Sequence, residues 1–176
     1  MRRFLFTLWL AVALCAVCEQ AFAQRIAYGE RTPKIDRKHS RWFDGRMPVP
    51  DQPLLIAFVY SHSNTCLEFC YGLKRRMQNA ERPLQVILVT REPASMIDMR
   101  MKQCLDGNIT VVSDVSGRIF RDFGVNYVPF AVVVDERRKA VWFGNPLTSE
   151  RDIFNRHTVQ SDDRRSMRKQ KKSKSR

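Results

Sequence analysis

The sequence predicts an α/β fold: a central mixed sheet flanked by helices, with a β-hairpin closing it at one side. Three observations point there. Apolar, β-prone runs alternate with helical patterns from Leu54 to Phe123, the order that builds a parallel sheet covered by helices. The first run, Leu54 to Ser61, is apolar almost throughout rather than alternating, as a strand buried on both faces must be. Two last β-prone runs flank Glu136-Arg137-Arg138 at hairpin spacing.

The elements follow in order. Gln24 to Asp51 is a lead-in segment rich in charge, with Pro33, Pro48 and Pro50 opposing regular helix and an aromatic pair at Trp42-Phe43. Leu54 to Ser61 is the first strand. A helix is expected over Cys66 to Ala80, with Asn64 or Thr65 as its N-cap. Leu84 to Thr90 is a second buried strand. Ser95 to Leu105 reads as a second helix, ended by Asp106-Gly107. Ile109 to Val112 is a short strand, and Gly117 to Phe123 a short helix closed by Gly124. Phe130 to Asp135 and Ala140 to Phe143 form the hairpin, and Ser149 to Asn155 fits a last short helix.

Both ends differ from this body. Arg2 and Arg3, the apolar stretch Phe4 to Val17 and the small-residue site Ala21-Phe22-Ala23 have the layout of a secretory signal peptide, residues 1–23. The apolar stretch is too short to span a bilayer, and Leu14 and Val17 are too bulky before Cys15 and Cys18 for a lipoprotein signal. The mature domain is expected over 24–157, outside the cytoplasm, in the periplasm or cell envelope. From 158 to 176 the chain is polar and basic, the composition of a disordered tail. Eight basic residues and no acid lie between Arg164 and Arg176, so much of the net charge of +13 belongs to the tail. That distribution argues against a nucleic-acid-binding face and for a solvated tail or a surface contact.

Removing the leader leaves three cysteines, Cys66, Cys70 and Cys104. Three are too few for a disulfide-stapled miniature scaffold. Cys66 stands at the expected start of a helix, directly after a buried strand. There the helix dipole and the outward N–H groups favour the thiolate, the form that does redox chemistry. Cys70 follows one turn later. At i and i+4 the Cα atoms lie roughly 6 Å apart, near the upper end of the ~4.4–6.8 Å that disulfides tolerate. Closure is therefore feasible and favours an exchanging bond. Cys104 shares a helical pattern with Met96, Ile97 and Met101 and reads as a small buried hydrophobe.

The element order, Cys66 after the first buried strand, and the phrase Phe123-Gly124-Val125-Asn126-Tyr127-Val128-Pro129-Phe130 resemble the thioredoxin superfamily, in particular exported TlpA/ResA-like and AhpC/TSA-type proteins. Ser113-Asp114-Val115-Ser116-Gly117 resembles the D-x-x-G element before their short helix, and Tyr28 to Pro33 followed by Trp42 resembles their N-terminal lead-in. The likeness covers roughly Ala27 to Pro146. It implies a thioredoxin-like fold and thiol–disulfide exchange with protein substrates and a redox partner, without a cofactor or metal. Cys66 would attack and Cys70 resolve. Pro129 would be cis, facing the cysteines, with the Val128 backbone exposed to pair with an extended substrate segment.

The departures are specific. The family's usual pair is C-x-x-C, commonly after a Trp; here it is C-x-x-x-C after Ser61-His62-Ser63-Asn64-Thr65. A buried carboxylate common in the first strand is replaced near Ala57, and Glu68, between the cysteines, reads as an exposed helix residue. Two alternatives stay open. One is a catalytically degenerate thioredoxin-like binding module. The other is an SCO-like copper-handling protein, which shares the fold and C-x-x-x-C. Against copper, three residues separate His62 from Cys66, and no distant His stands near Tyr127-Val128. A peroxiredoxin fits less well: Thr65-Cys66 is suggestive, but the Pro and Thr that family sets at fixed spacing before its cysteine do not match this stretch.

Overall fold

The computed structural model describes residues 26–36, 40–43, 46–49, 52–79, 84–97, 99–148 and 153. The expected signal peptide, the basic tail and most of the last expected helix lie outside them. Among the described residues, no helix is long and apolar enough to cross a membrane.

Among the described residues, six strands form one mixed sheet: β1 (Arg41–Trp42), β2 (Leu54–Phe58), β3 (Gln85–Thr90), β4 (Ile109–Ser113), β5 (Phe130–Val134) and β6 (Ala140–Gly144). Their spatial order is β1-β4-β3-β2-β5-β6. β2, β3 and β4 are parallel, with Ala57 opposite Leu88 and Leu88 opposite Val111. β5 runs antiparallel beside β2, pairing Ile56 with Val132, and β6 completes the hairpin. β1 is an element the sequence reading leaves out. Its two residues pair antiparallel with the end of β4, an arrangement set by β4's open edge and invisible in so short a stretch.

Strand alternation divides the core into two layers. Leu55, Ala57, Val59, Val86, Leu88, Val111, Ala131 and Val133 face the first layer, which holds helix α1 (Asn64–Gln78). Leu54, Ile56, Phe58, Ile87, Val89, Val112, Val132 and Val134 face the second, covered by helix α3 (Arg118–Asp122) and by Ile26 and Ile35 of the lead-in segment. Every residue of β2 is buried, as its unbroken apolar run requires. Ile153 also reaches the first layer.

The helix expected over Ser95 to Leu105 is broken in two. A 3-10 turn, Ala94–Met96, is separated from helix α2, Met99–Lys102, by an extended Ile97 at φ −64°, ψ 119°. The extended residue turns its side chain into the first core layer, where it is buried; burial of an apolar side chain outweighs the lost helical hydrogen bonding. The remaining elements differ from expectation only at their ends.

The turn before α3 explains the D-x-x-G pattern. Asp114 is fully buried, and its carboxylate accepts from the Phe120 N–H at 3.1 Å and from the Ser116 hydroxyl at 3.1 Å. Gly117 sits at φ +65°, where a Cβ would also approach Arg91 Nε to 3.3 Å. Asp114 and Gly117 thus have a structural task, holding the start of α3 against the sheet.

Candidate functional site

The first turn of α1 begins two residues earlier than expected. Ser63 is the N-cap: its backbone is extended, and its Oγ accepts from the Cys66 N–H at 3.3 Å. Asn64, one of the two expected caps, is already helical and instead accepts from Arg100 Nη1 at 3.3 Å. Several residues here can cap; which one does depends on where the incoming loop turns. No acidic side chain lies in the first turn, so the N-terminal dipole acts unopposed on that turn.

The structure places Cys66 and Cys70 one turn apart on the buried face of α1, at 0 % and 1 % exposure. Both belong to the first core layer with Ala57 and Val59 of the strand they follow. Glu68 is exposed, as expected. The Val128–Pro129 peptide is cis, in line with the resemblance. Pro129 is buried, while Val128 is half-buried and packs against both core layers, including the one that holds the cysteines. Tyr127 beside them is exposed and meets Phe130 edge-on at 5.3 Å.

Cys104 is buried, as read from its apolar neighbours, but its setting is not that of a mere hydrophobe. It shares the first core layer with Cys70, and each of the two thiols shifts the other's ionisation. Its own S–H reaches the Arg100 carbonyl at 3.6 Å. All three thiols are free. The hydrogen bond with Cys104, followed by burial, pushes the Cys70 thiol well above its ordinary value. The same bond pulls Cys104 down against the opposing effect of burial, helped by the Lys74 ammonium. Of the two, Cys104 is the thiol that more readily ionises. No motif signals this pairing, because the two cysteines are far apart in the chain.

A second missed residue is Glu92, just past β3. It accepts from the Ser61 N–H at 2.7 Å, the Thr90 hydroxyl at 2.8 Å and His62 Nδ1 at 2.7 Å. A carboxylate only accepts, so His62 donates from Nδ1. Partial burial would raise this carboxyl, but the bonds from His62, Ser61 and Thr90 outweigh it and hold it below its ordinary value. His62, mostly exposed, is thus turned to Glu92. Among the described residues, no group of three His, Cys, Asp or Glu side chains is arranged to hold a metal ion.

Fold comparison agrees with this architecture. A candidate protein disulfide isomerase from Bacteroides thetaiotaomicron superposes with a TM-score of 0.60 at 16% identity, over 78% of this chain and 89% of that one. A thioredoxin-like protein from Porphyromonas gingivalis gives 0.55 at 18% identity, over 74% and 93%. The exposed lipoprotein thioredoxin Etrx1 from Streptococcus pneumoniae gives 0.52 at 18% identity, over 67% and 95%. The chain has a thioredoxin-like fold. No protein-family model and no curated protein matches the sequence.

Proposed function

We propose that this protein is an exported thiol–disulfide oxidoreductase that exchanges disulfides with protein substrates through Cys66 and Cys70. The observation that carries the reading is the placement of both thiols one turn apart in the N-terminal half of α1, immediately after a central strand of a thioredoxin-like sheet. In this reading the Cys66 thiolate attacks a substrate disulfide, forming a mixed disulfide and expelling one substrate thiolate. Cys70, deprotonated, then attacks Cys66 Sγ, and the second substrate thiolate leaves. The substrate gains two electrons and the protein closes Cys66–Cys70; a dithiol redox partner restores it. Val128 and Pro129 line the substrate groove, and the signal-like leader directs the 24–157 domain to the cell envelope.

The test is dithiol-driven reduction of a model protein disulfide. Activity in the wild type that is lost in Cys66→Ser supports the reading, and equal rates in both reject it.

One observation favours a second reading, a non-catalytic thioredoxin-like module: Cys66 is completely covered, whereas reactive cysteines are partially exposed. The reduction potential separates the two. A Cys66–Cys70 couple between about −120 and −270 mV belongs to exchange proteins, and one below about −300 mV to a structural disulfide.

A further inference from the structure

We propose that Cys104 is the third member of the thiol site, and that the disulfide, once formed at Cys66–Cys70, is passed on to Cys70–Cys104. This extends the exchange reading above and rests on it. Cys66 and Cys70 come from one helix. Cys104 follows α2, and three bonds hold α2 and the residues after it against α1. The Tyr71 hydroxyl, beside Cys70, reaches the Arg100 carbonyl at 3.1 Å and Gln103 Oε1 at 3.3 Å. Lys74, one turn on, donates to the Gln103 carbonyl. These contacts bracket Cys70 on one side and Cys104 on the other. Cys70 and Cys104 are both buried in one core layer, with Ala57, Leu88 and Val111 of the sheet in the same layer.

The chemistry balances within the protein. The Cys104 thiolate attacks Cys70 Sγ, forming the Cys70–Cys104 bond and breaking Cys66–Cys70. The electron pair of the broken bond leaves on Cys66, which takes up the proton that Cys104 gave up. No net oxidation occurs in this step; the substrate disulfide was the oxidant. The consequence is a protein that keeps the oxidising equivalent at Cys70–Cys104 while Cys66 returns to its reduced form. Cys70, held between two thiols, is the shared atom of both disulfides. Because an i, i+4 disulfide on one helix lies near the limit of Cα separation, a partner on a separate element can relieve that constraint.

Disulfide mapping in glutathione buffers tests the transfer. Trypsin leaves Cys66 and Cys70 together on peptide 47–74, Cys104 on peptide 103–118, and Cys15 and Cys18 elsewhere. After alkylation and digestion, a Cys70–Cys104 bond links the two peptides, whereas a Cys66–Cys70 bond links none. In the full chain carrying Cys66→Ser, most of both peptides should be recovered as a linked pair. In the oxidised wild type the linked pair should appear with Cys66 alkylated, and Cys104→Ser should abolish it. If the wild type closes Cys66–Cys70 while Cys66→Ser and Cys66→Ala both leave Cys70 and Cys104 alkylated, the transfer is overturned and the exchange reading stands. If both Cys66 variants close Cys70–Cys104 but the Cys104→Ser chain never closes Cys66–Cys70, the exchange reading is overturned, and with it the transfer.

Discussion

His62 Nδ1 lies 2.7 Å from Glu92 Oε1, and the same carboxylate receives the Ser61 N–H and the Thr90 hydroxyl. One side chain past the end of β3 thus holds the loop that leads from β2 into the cysteine helix. Ser61 is fully buried, so its N–H has no water to turn to. Ser113 Oγ donates to the Glu92 carbonyl at 2.7 Å, extending the clamp to β4. The position of Cys66 therefore depends on three neighbouring strands as well as on its own helix.

Replacing this carboxylate should loosen that loop. Glu92→Ala leaves the buried Ser61 N–H and the Thr90 hydroxyl without their acceptor. An unmade buried bond costs about 1–3 kcal/mol, and the variant should lose stability in that range. Urea unfolding reads it directly, and Glu92→Gln, which keeps one acceptor oxygen, should lose less. Equal stability of Glu92→Ala and wild type would show that the clamp contributes nothing.

The same group gives a pH dependence with a definite sign. Its carboxyl is held below the ordinary value of 4.5 in the folded protein. A depressed carboxylate stabilises the native state above the unfolded-state value, and that contribution is lost as pH falls through the folded-state value. The stability gap between wild type and Glu92→Gln should thus be widest above about pH 5 and shrink steadily on acidification. A gap that stays constant from pH 7 to pH 3 would contradict this.

The second core layer is organised by one ring. Phe58 is fully buried, with the Phe120 ring edge-on at 5.0 Å and Phe123 at 5.2 Å. Phe58→Ala opens a cavity between β2 and α3 and should cost about 3–5 kcal/mol. Phe58→Leu, which refills most of the space, should recover a large part of it. Thermal or urea unfolding gives the comparison. A loss below about 1 kcal/mol for Phe58→Ala would mean that the layer collapses to fill the space.

The elements legible in the sequence are those whose pattern is local. β2, β3 and β5 are continuous apolar runs, and each is buried over all or nearly all of its length. The turn before α3 was legible through the likeness of Asp114 to Gly117 to the D-x-x-G element, and the structure supplies its reason, a side chain bonding the backbone a few residues on and a glycine at positive φ. Cys66 and Cys70 were legible as a pair for the same reason, since helical periodicity alone puts them on one face. The split of the helix after Pro93 was not legible. Its periodicity suits a continuous helix, and only the sheet beneath decides that Ile97 is better placed extended and buried.

Sequence by itself therefore determined the class of fold, the order of its strands from β2 onward, and the presence of two thiols one turn apart. Those follow from apolar periodicity and turn chemistry, which act over a few residues. Only the tertiary structure decided that Ser63 caps the cysteine helix, that Glu92 clamps the loop before it, and that Cys104 stands against Cys70. Each of these joins a residue to a partner whose position is set by strand order and helix packing, and no spacing along the chain encodes which distant side chains the sheet will bring together.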